Sequence, residues 1–277
     1  MGDIISTQNW ADDAGATLSV ITGTMTRPIS EAQKPWGRGL ARGAYGGTSI
    51  VVVRVDLGVA RNIICLGAKG LNGTESDGVF RLSNVSAGGS ELLDTSSEGD
   101  GMYYTDDWGL PFGNALWWVA PSSAIYARYV EMMLRSEVGT LSYLDLRRLW
   151  VGGGMIIPEG FDSGWSLDFV DSTKTDRSDT GGVFTLPGSR RRKLSATLTN
   201  RDESIVTASE ASWPRITIGG SAEVVIAPRA NENDSRSRYL QTIHGQLTGW
   251  SPIRYGRSGL IDMETFTTEE APMPALS

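Results

Sequence analysis

Residues 103 to 108 of this chain place Tyr103, Tyr104, Asp106, Asp107 and Trp108 side by side, and Trp117 and Trp118 follow shortly after. Flat aromatic faces next to carboxylate acceptors suit stacking on a sugar ring and hydrogen bonding to its hydroxyls, or gripping a protein partner. The acids are also candidates for catalysis. Asp106 with Asp107, or Asp100 with Asp106, would act as a glycosidase acid and nucleophile only at a separation of roughly 5 to 9 Å. Their spacing along the chain does not set that distance. Adjacent Asp residues in a segment rich in Gly and Ser are ordinarily solvated, or hold a calcium ion through oxygen. Trp117 and Trp118 read equally as strand residues, one ring in the core and one covered by a neighbouring domain.

Other chemistries are short of parts. The single histidine, His244, excludes a two-His metal motif, and it lies in the strand-like Gln241-Thr242-Ile243-His244-Gly245 with no Gly-x-Ser-x-Gly elsewhere to make a hydrolase. The single cysteine, Cys65, sits in the apolar run Ile63-Ile64-Cys65-Leu66 and reads as a buried structural thiol, so no cysteine zinc site is available. Glycines at Gly43-Ala44-Tyr45-Gly46-Gly47 precede a strand and so do not form a phosphate cradle. The expectation is a non-enzymatic protein with no metal and no cofactor.

A net charge of −7 and a pI near 4.9 disfavour nucleic acid as the main partner. The exception is Arg190-Arg191-Arg192-Lys193. Alternation along a strand sends two of these four away from the other two, so the run is expected to contact an acidic neighbouring subunit or to be a solvated hairpin end. No apolar stretch approaches the roughly 18 residues of a membrane helix, and the first residues lack the order of a secretion signal. Met1-Gly2 with Ser6 meets the short, common myristoylation pattern.

The elements that must position these residues are strands. From Ser49 to Gly58 the chain alternates, with Val51, Val53, Val55 and Leu57 on one side and Ile50, Val52, Arg54 and Asp56 on the other, and Gly58 is expected to end the strand. Two sheet partners are expected. The segment Ala127 to Leu134 points Val130, Met132 and Leu134 inward, and Leu144 to Val151 changes apolar phase near Arg147 and Arg148, which requires a bulge or a change of facing sheet. Further strands are read at Ala16 to Ile21, Asn62 to Gly67 and Gly78 to Ser83. Trp36 is read as a plug at the core edge, and Ser86 to Pro111 as a long loop.

Gly152-Gly153-Gly154 and Met155 to Pro158 read as a tether, giving domains at 1–157 and 158–277. In the second, Trp165, Leu167 and Phe169 alternate as in a strand, Gly182 to Leu198 reads as a hairpin, and Asn200 to Glu203 starts a short helix over about Arg201 to Ser209. Strands return at Arg215 to Ile218, Ala222 to Ile226, Tyr239 to His244 and Gly259 to Phe266. The polar segment Asn231 to Arg238 and the tail Pro272-Met273-Pro274 read as mobile or partner-bound.

The first domain resembles the galactose-binding-like, or discoidin-type, jelly roll. The resemblance lies in a strand ending Val55-Asp56-Leu57-Gly58, an isoleucine-rich strand after it, then Ala127-Arg128-Tyr129-Val130 and Leu144 to Trp150, in that order, over roughly residues 10 to 157. The chain lacks the terminal cysteine pair of the secreted members, and its aromatic loop matches no particular ligand motif. As a whole, with Phe161-Asp162-Ser163-Gly164-Trp165 and Ile243-His244-Gly245-Gln246-Leu247, it is similar to tail-tip or baseplate proteins of tailed bacteriophages. That resemblance implies a virion component, made in the host cytoplasm and assembled with other tail proteins in a ring or around a hub. The expected architecture is all-β: a jelly-roll sandwich, then a second β-rich domain with one short helix. The alternative function is a carbohydrate-binding module that attaches to a host-surface glycan through Tyr103, Tyr104, Trp108 and the acids beside them.

Overall fold

The computed structural model describes residues 2–44, 50–71, 78–85, 91–95, 115–121, 123–135, 143–157, 160–161, 164–171, 173–177, 181–186, 190–202, 222–229, 241–250, 253–255 and 260–270. Strands in chain order begin with β1 (Asp3–Asn9), β2 (Thr17–Thr22), β3 (Thr24–Arg27), β4 (Ala41–Ala44), β5 (Ile50–Ile63) and β6 (Cys65–Leu71). They continue with β7 (Gly78–Ser83), β8 (Glu91–Asp94), β9 (Ala115–Val119), β10 (Ile125–Arg135), β11 (Tyr143–Leu146) and β12 (Arg148–Ile157). The remainder are β13 (Ser166–Asp171), β14 (Lys174–Arg177), β15 (Val183–Leu186), β16 (Arg190–Asp202), β17 (Glu223–Ala227), β18 (Ile243–Trp250), β19 (Ile253–Tyr255) and β20 (Leu260–Glu270).

The chain divides into two compact units, Met1–Gly160 with Val225–Thr242 and Met273–Ser277, and Phe161–Val224 with Ile243–Pro272. The first is a jelly-roll β-sandwich. One sheet has the order β2-β5-β10-β7-β8, and the other runs from β17 through β1, β12 and β6 to β9, with every pairing antiparallel. Successive strands from β5 to β12 cross repeatedly between the sheets, so both contribute to one core. Val51, Val53, Val55, Leu57, Phe80, Leu82, Val130, Met132 and Leu134 come from one sheet, and Leu66, Ala68, Leu71, Val119, Leu149 and Val151 from the other. β3, β4 and β11 make a small third sheet.

The alternation of β5 is as expected, but Gly58 does not end the strand. At φ 75° it is the pivot of a bulge: Tyr129 of β10 faces Asp56, while Ala127 faces Arg61, so β5 holds extra residues between these pairs and continues to Ile63. The proposed trio of sheet partners is also corrected. β5 pairs with β10, whereas the Leu144 to Val151 stretch divides at Arg147 into β11, paired with β4, and β12, paired with β1 and β6. The phase slip read near Arg147 is thus a change of sheet. Trp36 is only half-buried, at φ 63°, in the middle of the 3-10 turn Pro35–Gly37. Part of the expected loop from Ser86 is the strand β8, and the strand β1 had no counterpart in the sequence reading.

Gly152-Gly153-Gly154 is strand, not tether. β12 runs through it to Ile157, antiparallel to β1, and a Cβ added at Gly152 would lie 2.1 Å from Cys65 Sγ and 2.5 Å from Ser6 Oγ. Around it, Trp150 Nε1 donates to Ser6 Oγ (3.0 Å) and Ser6 Oγ donates to the Gly153 carbonyl (2.9 Å), so the polar groups are satisfied by each other in the closest layer of the interior.

The second unit is a sheet in the order β13-β16-β20-β18, with β19 also on β20. Leu194, Ala196, Ile243 and Leu247 are buried in it. Phe169 is 60% exposed although it shares a face of β13 with the half-buried Leu167, and Val170, on the other face, is half-buried too. Two readings are corrected here. β15 pairs with β14 and not with β16, so the hairpin is Lys174 to Leu186. Arg201 and Asp202 lie in β16, whose pairing with β20 outcompetes the capping signal there, and the rest of the expected helix lies outside the described residues. The expected strand at Arg215 to Ile218, the segment Asn231 to Arg238 and the tail lie outside them too.

Gly152→Ala is expected to destabilise the first unit by about 1–3 kcal/mol, the range for overpacking a tight interior. The check is a urea unfolding midpoint well below wild type, with Gly15→Ala, where a Cβ meets nothing within 4 Å, as the control that should barely move.

Candidate functional site

Several polar groups inside the sandwich, among the described residues, are engaged with one another. The interior polar groups are structural: Arg148 is 1% exposed and bridges Asp12 (Nη1 to Oδ1 2.8 Å, Nη2 to Oδ2 2.5 Å) while donating to the Gln33 carbonyl at 2.7 Å. Asn9 spans two elements, its Oδ1 accepting from Val151 N (2.8 Å) and its Nδ2 donating to the Leu149 carbonyl (2.8 Å). Burial pushes the Cys65 thiol up to about 12, which keeps it protonated and unreactive. Among the described residues, no group of three or more His, Cys, Asp and Glu stands where it would hold a metal ion.

Several exposed side chains lie at one end of the β5-β10-β7 sheet, where β5 bulges. Tyr126, Val59 and Val85 are 64%, 55% and 56% exposed, and Asn62 and Asn84 are exposed beside them. The end is held rigidly. Asn84 Nδ2 donates to the Tyr126 carbonyl (3.3 Å) and Asn84 Oδ1 accepts from Arg128 N (3.1 Å), tying the segment after β7 to the start of β10. Arg128 grips Asp56 with two parallel bonds, Nε to Oδ1 at 2.8 Å and Nη2 to Oδ2 at 2.9 Å, and Asp56 Oδ1 also accepts from Gly58 N at 2.8 Å. These bonds, the Arg128 pair first, hold the Asp56 carboxyl below its ordinary range and the Arg128 guanidinium above its own. The guanidinium also lies 4.9 Å from the Tyr129 ring centre. On the far side of the bulge Trp10 Nε1 donates to the Asn62 carbonyl (3.0 Å), and Arg61 stacks over Trp10 at 4.7 Å while pairing with Asp13 at 2.8 Å.

The result is an exposed phenol ring and two valines beside amide groups, on a backbone fixed by side-chain bonds. Such a rim offers a flat face and directional donors and acceptors. The neighbouring carboxylates Asp56 and Asp13 are each paired with an arginine.

Tyr103, Tyr104, Asp106, Asp107 and Trp108, with Asp100, lie outside the described residues. Trp117 and Trp118 are in β9, paired with Ala68 and Gly67. Arg190 to Lys193 begin β16, and Arg192 is buried with Leu194 and Ala196, so within its own chain it is not available to a neighbour; Arg191 and Lys193 are half-buried on the other side. His244 is buried in the second unit with Nε2 3.2 Å from Glu223 Oε1. Sequence reasoning missed Tyr126. In a regular strand it would share the inward phase of Val130 and Met132, and only the register shift at the β5 bulge turns Ala127 in and Tyr126 out.

No protein-family model matches the chain and no curated protein matches it. Solved structures do match. The chain is similar to a family 32 carbohydrate-binding module of C. perfringens NanJ in complex with galactose, at 17% identity and TM-score 0.39, covering 54% of this chain and 100% of that one. It is similar to a chitosan-binding module from Paenibacillus sp. IK-5, at 17% identity and TM-score 0.37, over 53% and 99% of the two chains. The lectin binding domain of Lectinolysin complexed with Lewis b gives 16% and 0.40, over 55% and 100%.

Two outcomes check this description. The Asp56 carboxyl should titrate below the ordinary aspartate value of about 3.9 by carbon-detected NMR, and move up toward it in Arg128→Gln, because loss of the guanidinium removes the main bond to the charged form. Cys65 should resist a thiol reagent at pH 8 in the folded protein and react with it in denaturant.

Proposed function

We propose that this is a non-enzymatic binding protein whose sandwich engages a carbohydrate at the rim around Tyr126. The observation that carries the reading is the 64% exposed Tyr126 ring on a backbone locked by Asn84. A tyrosine left that far in water while its neighbours are tied down is pre-organised to stack, and a pre-organised ring costs little entropy on binding. Val59 and Val85 are exposed on the same end of the sheet, and Asn62, opposite Tyr126 in the ladder, is exposed as well. Arg128, two residues along β10, is already paired with Asp56, and Arg61 with Asp13, which favours a neutral sugar over an acidic one. Such a module would fasten a larger particle or protein to a glycan-bearing surface.

A second reading, a structural component of a bacteriophage tail tip or baseplate joined to neighbouring tail proteins, is favoured by a different observation. The β14–β15 hairpin shows every described side chain to solvent, Val183 and Phe184 included, as expected of a part covered by a neighbour. The two readings are compatible, one using the first unit and the other the second. Co-purification with the products of flanking tail genes supports the assembly reading, and its absence removes it.

The carbohydrate reading is tested on a glycan array and then by titration calorimetry with the best neutral glycan. Tyr126→Ala should weaken binding about tenfold, the worth of one stacked ring at about 1.4 kcal/mol, while leaving thermal stability unchanged. Binding by Tyr126→Ala equal to wild type, or no glycan bound at all, ends this reading.

A further inference from the structure

We infer that the Arg128–Asp56 pair is the second half of the carbohydrate site, reading hydroxyl groups of a neutral pyranose that stacks on Tyr126. A guanidinium N–H donates to one hydroxyl oxygen, and Asp56 Oδ2 accepts a hydrogen bond from another. The inference rests on the carbohydrate reading above and deepens it, by naming the groups of the sugar that are recognised and the residues that recognise them.

The backbone puts the pair beside the ring. Ala127 is buried, so at the extended start of β10 its neighbours Tyr126 and Arg128 both point out of the sandwich, two residues or about 7 Å apart. On β5, Asn62 faces Tyr126 and Asp56 faces Tyr129, so the bulge carrying the exposed Val59 runs alongside Arg128 between them. From the other side Asn84 bonds both the Tyr126 carbonyl and Arg128 N, which fixes the two residues relative to each other. One hexose ring with its hydroxyls spans that distance.

The bonds already made show what the pair has left. A guanidinium carries five N–H donors. Arg128 uses Nε on Asp56 Oδ1 at 2.8 Å and Nη2 on Oδ2 at 2.9 Å, which leaves both N–H groups of Nη1 and the second of Nη2. Asp56 Oδ1 takes Nε and Gly58 N, while Oδ2 takes Nη2 alone and keeps a position for one more donor. The two side chains are 40% and 29% exposed, so the remaining groups reach water. They are also held still. Asp56 fixes one edge of the guanidinium, and the Tyr129 ring, with its centre 4.9 Å away, lies against its face. Donors and an acceptor fixed in this way lose little freedom when a ligand meets them.

The pair also selects a chemistry. Its two charges offset each other, so an acidic ligand gains little from Arg128 and is repelled by Asp56. An ether or carbonyl oxygen satisfies the arginine and leaves Oδ2 without a donor. Hydroxyl groups are neutral, accept and donate, and so satisfy both partners at once.

The experiment is NMR titration of the full chain with the methyl pyranosides of glucose, galactose and mannose, then with the monodeoxy analogues of each one that binds. Wild type should bind the analogue lacking a contacted hydroxyl about tenfold more weakly, the worth of one hydrogen bond to a charged group, and lose little at the other positions. Arg128→Gln should weaken the parent sugar about tenfold and no longer distinguish it from that analogue, whereas Tyr126→Ala should weaken parent and analogue by the same factor. Should Arg128→Gln unfold, Arg128→Lys, which keeps an ion pair with Asp56 and gives up the Nη1 edge, is read in its place. An Arg128 variant that weakens parent and analogue equally shows a role in folding alone and overturns the inference. So does a wild type that binds every monodeoxy analogue as tightly as its parent. If none of the three pyranosides binds at about 100 mM while a neutral glycan on the array does, the inference falls and the carbohydrate reading stands; binding of no glycan removes both.

Discussion

A strand that is apolar along one side and polar along the other can be stable only when something covers the apolar side, and the first unit is organised around that requirement. Val51, Val53, Val55 and Leu57 of β5 present four side chains in a row, each at most 2% exposed in the finished fold. At about 25 cal/mol per Å² of buried apolar area, such a row contributes several kcal/mol. The cover is the sheet containing β12 and β6, whose Leu149, Val151, Leu66 and Ala68 complete the same core. On the uncovered side the strand carries its ion pairs, Arg54 with Glu131 and Asp56 with Arg128, where water can share in solvating the charges.

Covering one sheet with another by a single chain requires frequent crossings, and the crossing at Arg147 shows how the change is secured. β11 ends on β4, where Arg42 holds Asp145 with two bonds of 2.6 and 2.8 Å, and β12 begins at once on β6. Arg147 N donates to the Lys69 carbonyl at the junction, and Arg148 turns inward to Asp12 and the Gln33 carbonyl. Burying a guanidinium is costly, so this pair adds little net stability over an apolar substitute. Its effect is on arrangement: a bidentate fork fits one position of the 3-10 turn at Trp10–Asp12 and no other.

The closed core decides where binding can take place. With Cys65, Ser6 and Trp150 crowded around Gly152, this layer of the interior is too tight even for one added methyl group. Among the described residues, exposed apolar side chains lie at the rim where β5 bulges and, in the second unit, on the β14–β15 hairpin. The bulge turns a core-phase tyrosine outward, and the two-stranded β14–β15 ribbon leaves Val183 and Phe184 exposed. In both places a departure from regular pairing is what exposes the groups able to meet another molecule.

Alternation alone carried much of the architecture. β2, β5, β7 and β10 were legible because their apolar residues repeat every two positions, Cys65 was placed in the interior by its neighbours, and the phase slip at Arg147 marked a real discontinuity. The triple glycine misled because small residues suit a flexible link and a close contact equally well, and only the position of Cys65 and Ser6 distinguishes them. Strand partners and phases were decided by the tertiary structure: β14 taking β15, β16 overriding a capping signal, Tyr126 facing water. The physical reason is the range of the interactions. Periodicity is a property of a few consecutive residues, whereas register, bulges and the pairing of edges are set by side chains tens of residues away, which share a sheet only after the chain has folded.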